Sequence, residues 1–133
     1  MDVLATLQKA REIITPEDKW CIRSRHSAAG AFCALGAIDQ ALGELGKDVG
    51  LYGSSDCTPE VVALNAAIPS DAKKAIEDGH RSDNWNTLPN ERISKDRNAT
   101  KVAVYNNTSE HKTVLAWFDR AIELQHEHPM EKL

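Results

Sequence analysis

Five apolar residues, Ala31, Leu35, Ile38, Leu42 and Leu45, recur at steps of four and three. That spacing lines one face of an α-helix, whereas a strand would scatter the same positions over both of its faces. This stripe constrains the chain more than any other feature. It predicts a central helix over residues 28–45, capped by Ser27, widened on one side by Phe32 and stopped by Gly46. The small residues Ala28, Ala29, Gly30, Ala31, Gly36 and Ala37 let a neighbouring backbone come close, so this helix is expected to be well covered. Aromatic residues make up only 5% of the chain, and alanine is abundant. That bias suits close-packed helices better than a β-sandwich.

Other helices follow from the same period. Asp2 caps a first one with Val3, Leu4, Leu7, Ala10 and Ile14 inward. Thr15-Pro16-Glu17 restarts the chain, with Thr15 as cap and Pro16 at the first helical position. A short second helix then carries Trp20 and Ile22 toward the core. The same punctuation at Thr58-Pro59-Glu60 opens a helix over 59–66. Ile68-Pro69-Ser70 breaks and recaps the chain before another over 71–78, which Gly79 ends. Lys101-Val102-Ala103-Val104-Tyr105 alternates like a strand but has no partner strand, which favours a short helix. The last helix is capped by Thr108 or Ser109, favoured by Glu110 and closed by Pro129. Its inward face is Val114, Leu115, Phe118, Ala121 and Ile122, expected to pack directly on the central helix. The polar stretch 80–100 reads as a long irregular loop. The expected fold is therefore mainly α: one compact domain, 1–133, forming a bundle of about five to six helices.

Charge and cysteine usage narrow the function classes. Sixteen basic against twenty acidic residues give a net charge of −4, which disfavours general nucleic-acid binding. No apolar run approaches the roughly 20 residues that a membrane span needs. Met1-Asp2-Val3-Leu4 leads straight into an amphipathic pattern without the regions of a signal peptide. Cys21, Cys33 and Cys57 are an odd number without paired spacing, as expected of reduced thiols in the cytoplasm. Asn98-Ala99-Thr100 and Asn106-Asn107-Thr108 match a glycosylation sequon but read more simply as turn and cap residues.

Trp20-Cys21, then Phe32-Cys33-Ala34-Leu35-Gly36-Ala37, then Tyr105-Asn106-Asn107 and Val114-Leu115-Ala116-Trp117-Phe118-Asp119-Arg120-Ala121-Ile122 resemble a family of small bacterial and phage proteins of unknown function. The resemblance covers the first 45 and last 35 residues, while the middle departs from the pattern. Family members often carry Asn-Asp where this chain has Asn106-Asn107. The resemblance implies a shared helical fold and no particular activity.

Four constellations could carry chemistry. Cys33 with His111 and Asn106 can be drawn as a Cys-His-Asn hydrolase or transferase. Against it, Cys33 falls about five residues into its predicted helix, beyond the dipole's reach, where a buried structural cysteine is the commoner role. His126-Glu127-His128 places two imidazoles two residues apart, which do not face one another on a helix, so no metal and no cofactor is expected. Lys19, Arg23, Arg25 and His26 form one basic cluster, and Arg92, Lys95, Arg97 and Lys101 another. Acidic residues interleave both, as on an ordinary solvated surface. Trp85, in the polar 80–100 stretch, either tucks over the core or anchors a protein partner. Two readings remain: a non-enzymatic module, free of any cofactor, that binds another protein or itself, and a Cys33-dependent enzyme.

Overall fold

The computed structural model describes residues 3–22, 26–46, 58–78 and 98–127. They form six α-helices: α1 (Val3–Ile13), α2 (Ala34–Glu44), α3 (Pro59–Ala66), α4 (Ser70–Asp78), α5 (Asn98–Asn107) and α6 (His111–Glu127). A 3-10 turn spans Glu17–Lys19, and among the described residues the only β-pairing is two isolated bridges at Phe32. The all-α expectation holds. Residues 101–105 are helical, inside an α5 that begins at Asn98, so the last three positions of the expected 80–100 loop belong to that helix. Residues 79–97, with Trp85, Arg92, Lys95 and Arg97, lie outside the described residues, as do Arg23, Arg25, Cys57 and His128.

α1 is the centre of the packing. Its buried Val3, Thr6, Leu7 and Ala10 place it against both α2 and α6. α3 packs on α5 and α6, and α4 lies along α5. The expected direct stacking of α2 on α6 is not a principal contact of the fold, because α1 packs against both. The short side chains Thr6 and Ala10 on α1, with Ala34, Ala37 and Ala41 on α2, are all fully buried. They let the two backbones approach closely, as ridge-into-groove packing requires.

The central helix is shorter than its apolar stripe suggests. It starts at Ala34, and Ser27 closes a turn instead: its Oγ accepts from Ala31 N–H at 3.0 Å and its carbonyl accepts from Gly30 N–H at 3.0 Å. Gly30 has φ +86°, a left-handed conformation that breaks any helix begun at residue 28. Gly46, at φ +69°, does terminate α2 as expected. The second short helix is reduced to the 3-10 turn, after which Trp20 is extended and half-buried while Ile22 is 41% exposed.

Two hydroxyls expected to cap the next helix close the previous one. Thr15 Oγ1 donates to the Arg11 carbonyl at 2.7 Å, and Thr108 Oγ1 donates to the Val104 carbonyl at 2.8 Å. A threonine four residues after a carbonyl reaches it with little rotamer strain, and this competes with capping forward. On α6 the fully inward positions are Val114, Trp117, Phe118, Ala121 and Gln125, with Leu115 and Ile122 half-buried at the edges. Trp117 Nε1 donates to the Leu64 carbonyl at 2.8 Å, tying α6 to the end of α3.

Arg11 forms a fork across α1 and α6. Its Nε and Nη2 donate to Asp119 Oδ1 and Oδ2 at 2.9 and 3.2 Å, and Nη1 donates to Thr15 Oγ1 at 2.9 Å. Asp119 is largely exposed, so solvent screens the pair. Arg11→Ala is expected to lower unfolding free energy by no more than about 1 kcal/mol, with a smaller loss in high salt. Denaturant melts at two salt concentrations measure this, and a salt-independent loss above about 2 kcal/mol would show that the arginine stem, not its charge, matters.

Candidate functional site

The residues singled out in the sequence gather where α2 begins, α5 ends and α6 begins. Residues 19–21 run parallel to residues 32–34. Phe32 N–H donates to the Lys19 carbonyl at 2.9 Å, and Cys21 N–H donates to the Phe32 carbonyl at 3.0 Å, which pairs Trp20 with Phe32. On the other side of Phe32, His26 forms an antiparallel bridge, and the two rings stack with centroids 4.7 Å apart.

In a continuing parallel ladder the next rung would be Ala34 N–H to the Cys21 carbonyl. The side chain of Asn106 takes its place. Ala34 N–H donates to Asn106 Oδ1 at 3.1 Å, and Asn106 Nδ2 donates to the Cys21 carbonyl at 3.2 Å. Trp20 Nε1 also donates to Oδ1, at 2.8 Å, and Nδ2 donates a second time to Asn107 Oδ1 at 3.2 Å. Two lone pairs and two protons are all that a carboxamide has, so this fully buried side chain is satisfied at every position. Two N–H donors converge on one atom, which fixes that atom as the oxygen.

Cys33 is the N-cap of α2, and not five residues inside it as the sequence suggested. It is buried, and its Sγ accepts from Gly36 N–H at 3.5 Å. His111 is the first residue of α6. Its Nε2 lies 2.7 Å from the Ile14 carbonyl, and because a carbonyl can only accept, Nε2 carries a proton and donates. Its ring leans on Trp20, centroids 5.6 Å apart and planes 36° apart. Asn106 therefore meets the Cys33 segment through Ala34, and His111 meets the cluster through Trp20. The hydrogen bond of His111 goes to Ile14 rather than to Cys33.

Burial pushes the Cys21 thiol above its ordinary pKa, opposed in part by a hydrogen bond from the Ser27 backbone. Burial also raises Tyr105, with the nearby Asp71 charge adding to it and a hydrogen bond to Ser109 opposing. Tyr105 meets Trp117 edge-to-face at 4.7 Å. Of the basic clusters, Lys19 and His26 are exposed and Lys101 is half-exposed. Among the described residues no group of three or more His, Cys, Asp or Glu is gathered as a metal site, and no helix is long and apolar enough to cross a membrane. The sequence did not flag Trp20 or Trp117 as hydrogen-bond donors. The signal was available in that a buried indole almost always has a partner for its N–H.

Six helices around one apolar core, joined by a carboxamide that stands in for a rung of backbone pairing, define a small all-α domain. The model of DUF6197, a family of unknown function, matches residues 1–124, and the chain belongs to that family. The match spans the middle of the chain as well as the two ends that carry the motifs. No curated protein and no solved structure matches the chain.

Proposed function

We propose that this chain is a non-enzymatic protein-interaction module, a single cytoplasmic domain of phage or other mobile-element origin. The observation that carries the reading is the commitment of the polar cluster to the fold. Asn106 is satisfied on all four sides by structural partners, His111 Nε2 is held by the Ile14 carbonyl, and Cys33 is buried at a helix cap. Groups fixed in this way support a scaffold. The acidic net charge supports a protein partner over a nucleic acid, and Cys21 and Cys33, both thiols, suit a reducing compartment. The residue that anchors the partner is Trp85, the one large aromatic in a segment with little else to bury. Trp85→Ala is expected to leave the melting temperature nearly unchanged and to abolish capture of the partner. A fall in stability of about 3–5 kcal/mol would instead make Trp85 a core residue.

One observation favours the second reading, a Cys33-dependent hydrolase or transferase assisted by His111. The N-cap position puts Cys33 where the dipole of α2 stabilises a thiolate. Labelling with a fast electrophile separates the two. Slow modification of Cys33 in the folded protein, accelerating only toward alkaline pH, supports the module. Rapid labelling that persists to about pH 6 and collapses in His111→Ala supports the enzyme.

A further inference from the structure

The parallel pairing that Asn106 completes also fixes the relation between two cysteines. Trp20 and Phe32 are bridge partners, so Cys21 and Cys33 are the next pair along the same two segments. Residues paired across a ladder present their side chains to the same face, and that face alternates along the chain. Trp20 and Phe32, with the His26 ring stacked on Phe32, occupy one face. Cys21 and Cys33 therefore share the other, which Cys33 and Ala31 place toward the core.

The spacing is pinned on both sides of the pair. Cys21 N–H bonds directly to the carbonyl that precedes Cys33, and the Cys21 carbonyl is joined through Asn106 to the N–H that follows Cys33. Backbone segments held by such rungs lie about 4.8 Å apart. The inserted carboxamide opens the far side of the pair. On the directly bonded side the spacing lies within the roughly 4.4–6.8 Å between α-carbons that a disulfide spans. Cys21 is half-buried and reachable from solvent, while Cys33 is buried behind it.

We propose that Cys21 and Cys33 form a redox modification site, oxidised by a small disulfide such as glutathione disulfide to an intramolecular disulfide. The Cys21 thiolate attacks one sulfur of glutathione disulfide, forming a mixed disulfide and releasing one glutathione thiolate. Cys33, deprotonated, attacks the Cys21 sulfur, forming the Cys21–Cys33 bond and releasing the second glutathione. Two electrons pass from the protein thiols to the glutathione disulfide, and the two thiol protons end on the two released glutathiones. Burial of Cys21 makes the first step slow at neutral pH and faster as pH rises. Bonding the pair requires the Cys33 sulfur to turn away from Gly36 N–H, so oxidation removes the α2 cap. This assignment is independent of the functional readings above.

The test is to incubate the full-length reduced protein with glutathione disulfide, block remaining thiols and map the peptides by mass. The expected product is a Cys21–Cys33 cross-link with Cys57 alkylated, reversed by reduced glutathione. In Cys33→Ser the reaction should stop at the glutathione adduct of Cys21. In Cys21→Ser, the milder change at the more exposed position, Cys33 should remain a thiol. A wild-type product that stays as the Cys21 adduct, a disulfide made through Cys57, or a Cys21 that does not react in the folded protein would each overturn the assignment.

Discussion

Phe118→Ala is expected to destabilise the protein by about 3–5 kcal/mol, the cost of truncating a large aromatic in a core that cannot fully collapse around the gap. Phe118 has no solvent exposure, and its ring leans on Trp117 at 5.9 Å. It lies on the buried face of α6, a helix that packs against both α1 and α3, so little around the cavity is free to move in. A domain of this size is stable by about 5–15 kcal/mol, so this single change removes a large share of the total. Leu35→Ala, on the face of α2 turned to the core, should cost about 2–5 kcal/mol by the same mechanism. Leu45, 42% exposed at the end of the same apolar stripe, is the control: Leu45→Ala should stay within about 0.5 kcal/mol. Denaturant midpoints with an unchanged slope give all three values. Equal losses at Leu35 and Leu45 would mean that the stripe is buried along its whole length.

The contrast between Leu35 and Leu45 shows how far periodicity reaches. Spacing identified the inward faces of α1, α2 and α6 because burial on a helix repeats with the turn, and a single sequence records that repeat directly. It did not identify where α2 starts. Ala28, Ala29 and Ala31 have good helix propensity, but one left-handed Gly30 and four backbone bonds to residues 19–21 and 27 decide the matter. Those bonds are long-range in sequence or depend on a turn, and neither leaves a periodic trace. Thr15 and Thr108 failed as forward caps for a related reason, since a hydroxyl that can bond back to a carbonyl four residues earlier looks identical in sequence to one that bonds forward. Which helix contacts which was equally hidden: two apolar stripes do not say that a third helix packs against both.

The candidate site was legible as a set of residue types and hidden as a geometry. Trp20, Cys33, Asn106 and His111 stand far apart in sequence, and the motifs that drew attention to them carry no distances. Cys33 illustrates the cost. Counted from Ser27 it lies inside a helix and beyond the dipole's reach, yet the fold makes it the cap, where the dipole acts on it. Asn106 reads in sequence as a turn residue or a weak catalytic partner. In the fold it is the last full turn of α5 reaching over to complete a pairing between two other segments, a role that no local pattern encodes.

That role predicts the other large effect. Asn106→Leu keeps the volume but strips the partner from Trp20 Nε1, the Ala34 N–H and the Cys21 carbonyl at once. Each buried polar group left unsatisfied costs about 1–3 kcal/mol, so losing three partners should cost the variant about 3–9 kcal/mol. Asn106→Asp is the more discriminating change because it is nearly isosteric. Its carboxylate still accepts from Trp20 and Ala34, but the second oxygen now faces the Cys21 carbonyl and Asn107 Oδ1, two acceptors where Nδ2 had donated. Burial and those oxygens favour the protonated acid, so the new carboxyl titrates at a higher pH in the folded state than in the unfolded chain, where it lies near 3.9. A group whose folded pKa is raised stabilises fully below its unfolded pKa and loses that contribution as pH rises through the folded value. The Asn106→Asp deficit relative to the parent should therefore be small near about pH 4 and grow toward neutrality. The Asn106→Leu deficit has no such group and should not follow that trend. Urea melts across this range decide it. A pH-independent deficit in Asn106→Asp would show that Nδ2 is dispensable, and an unchanged midpoint in Asn106→Leu would show that the carboxamide does not hold the two segments together.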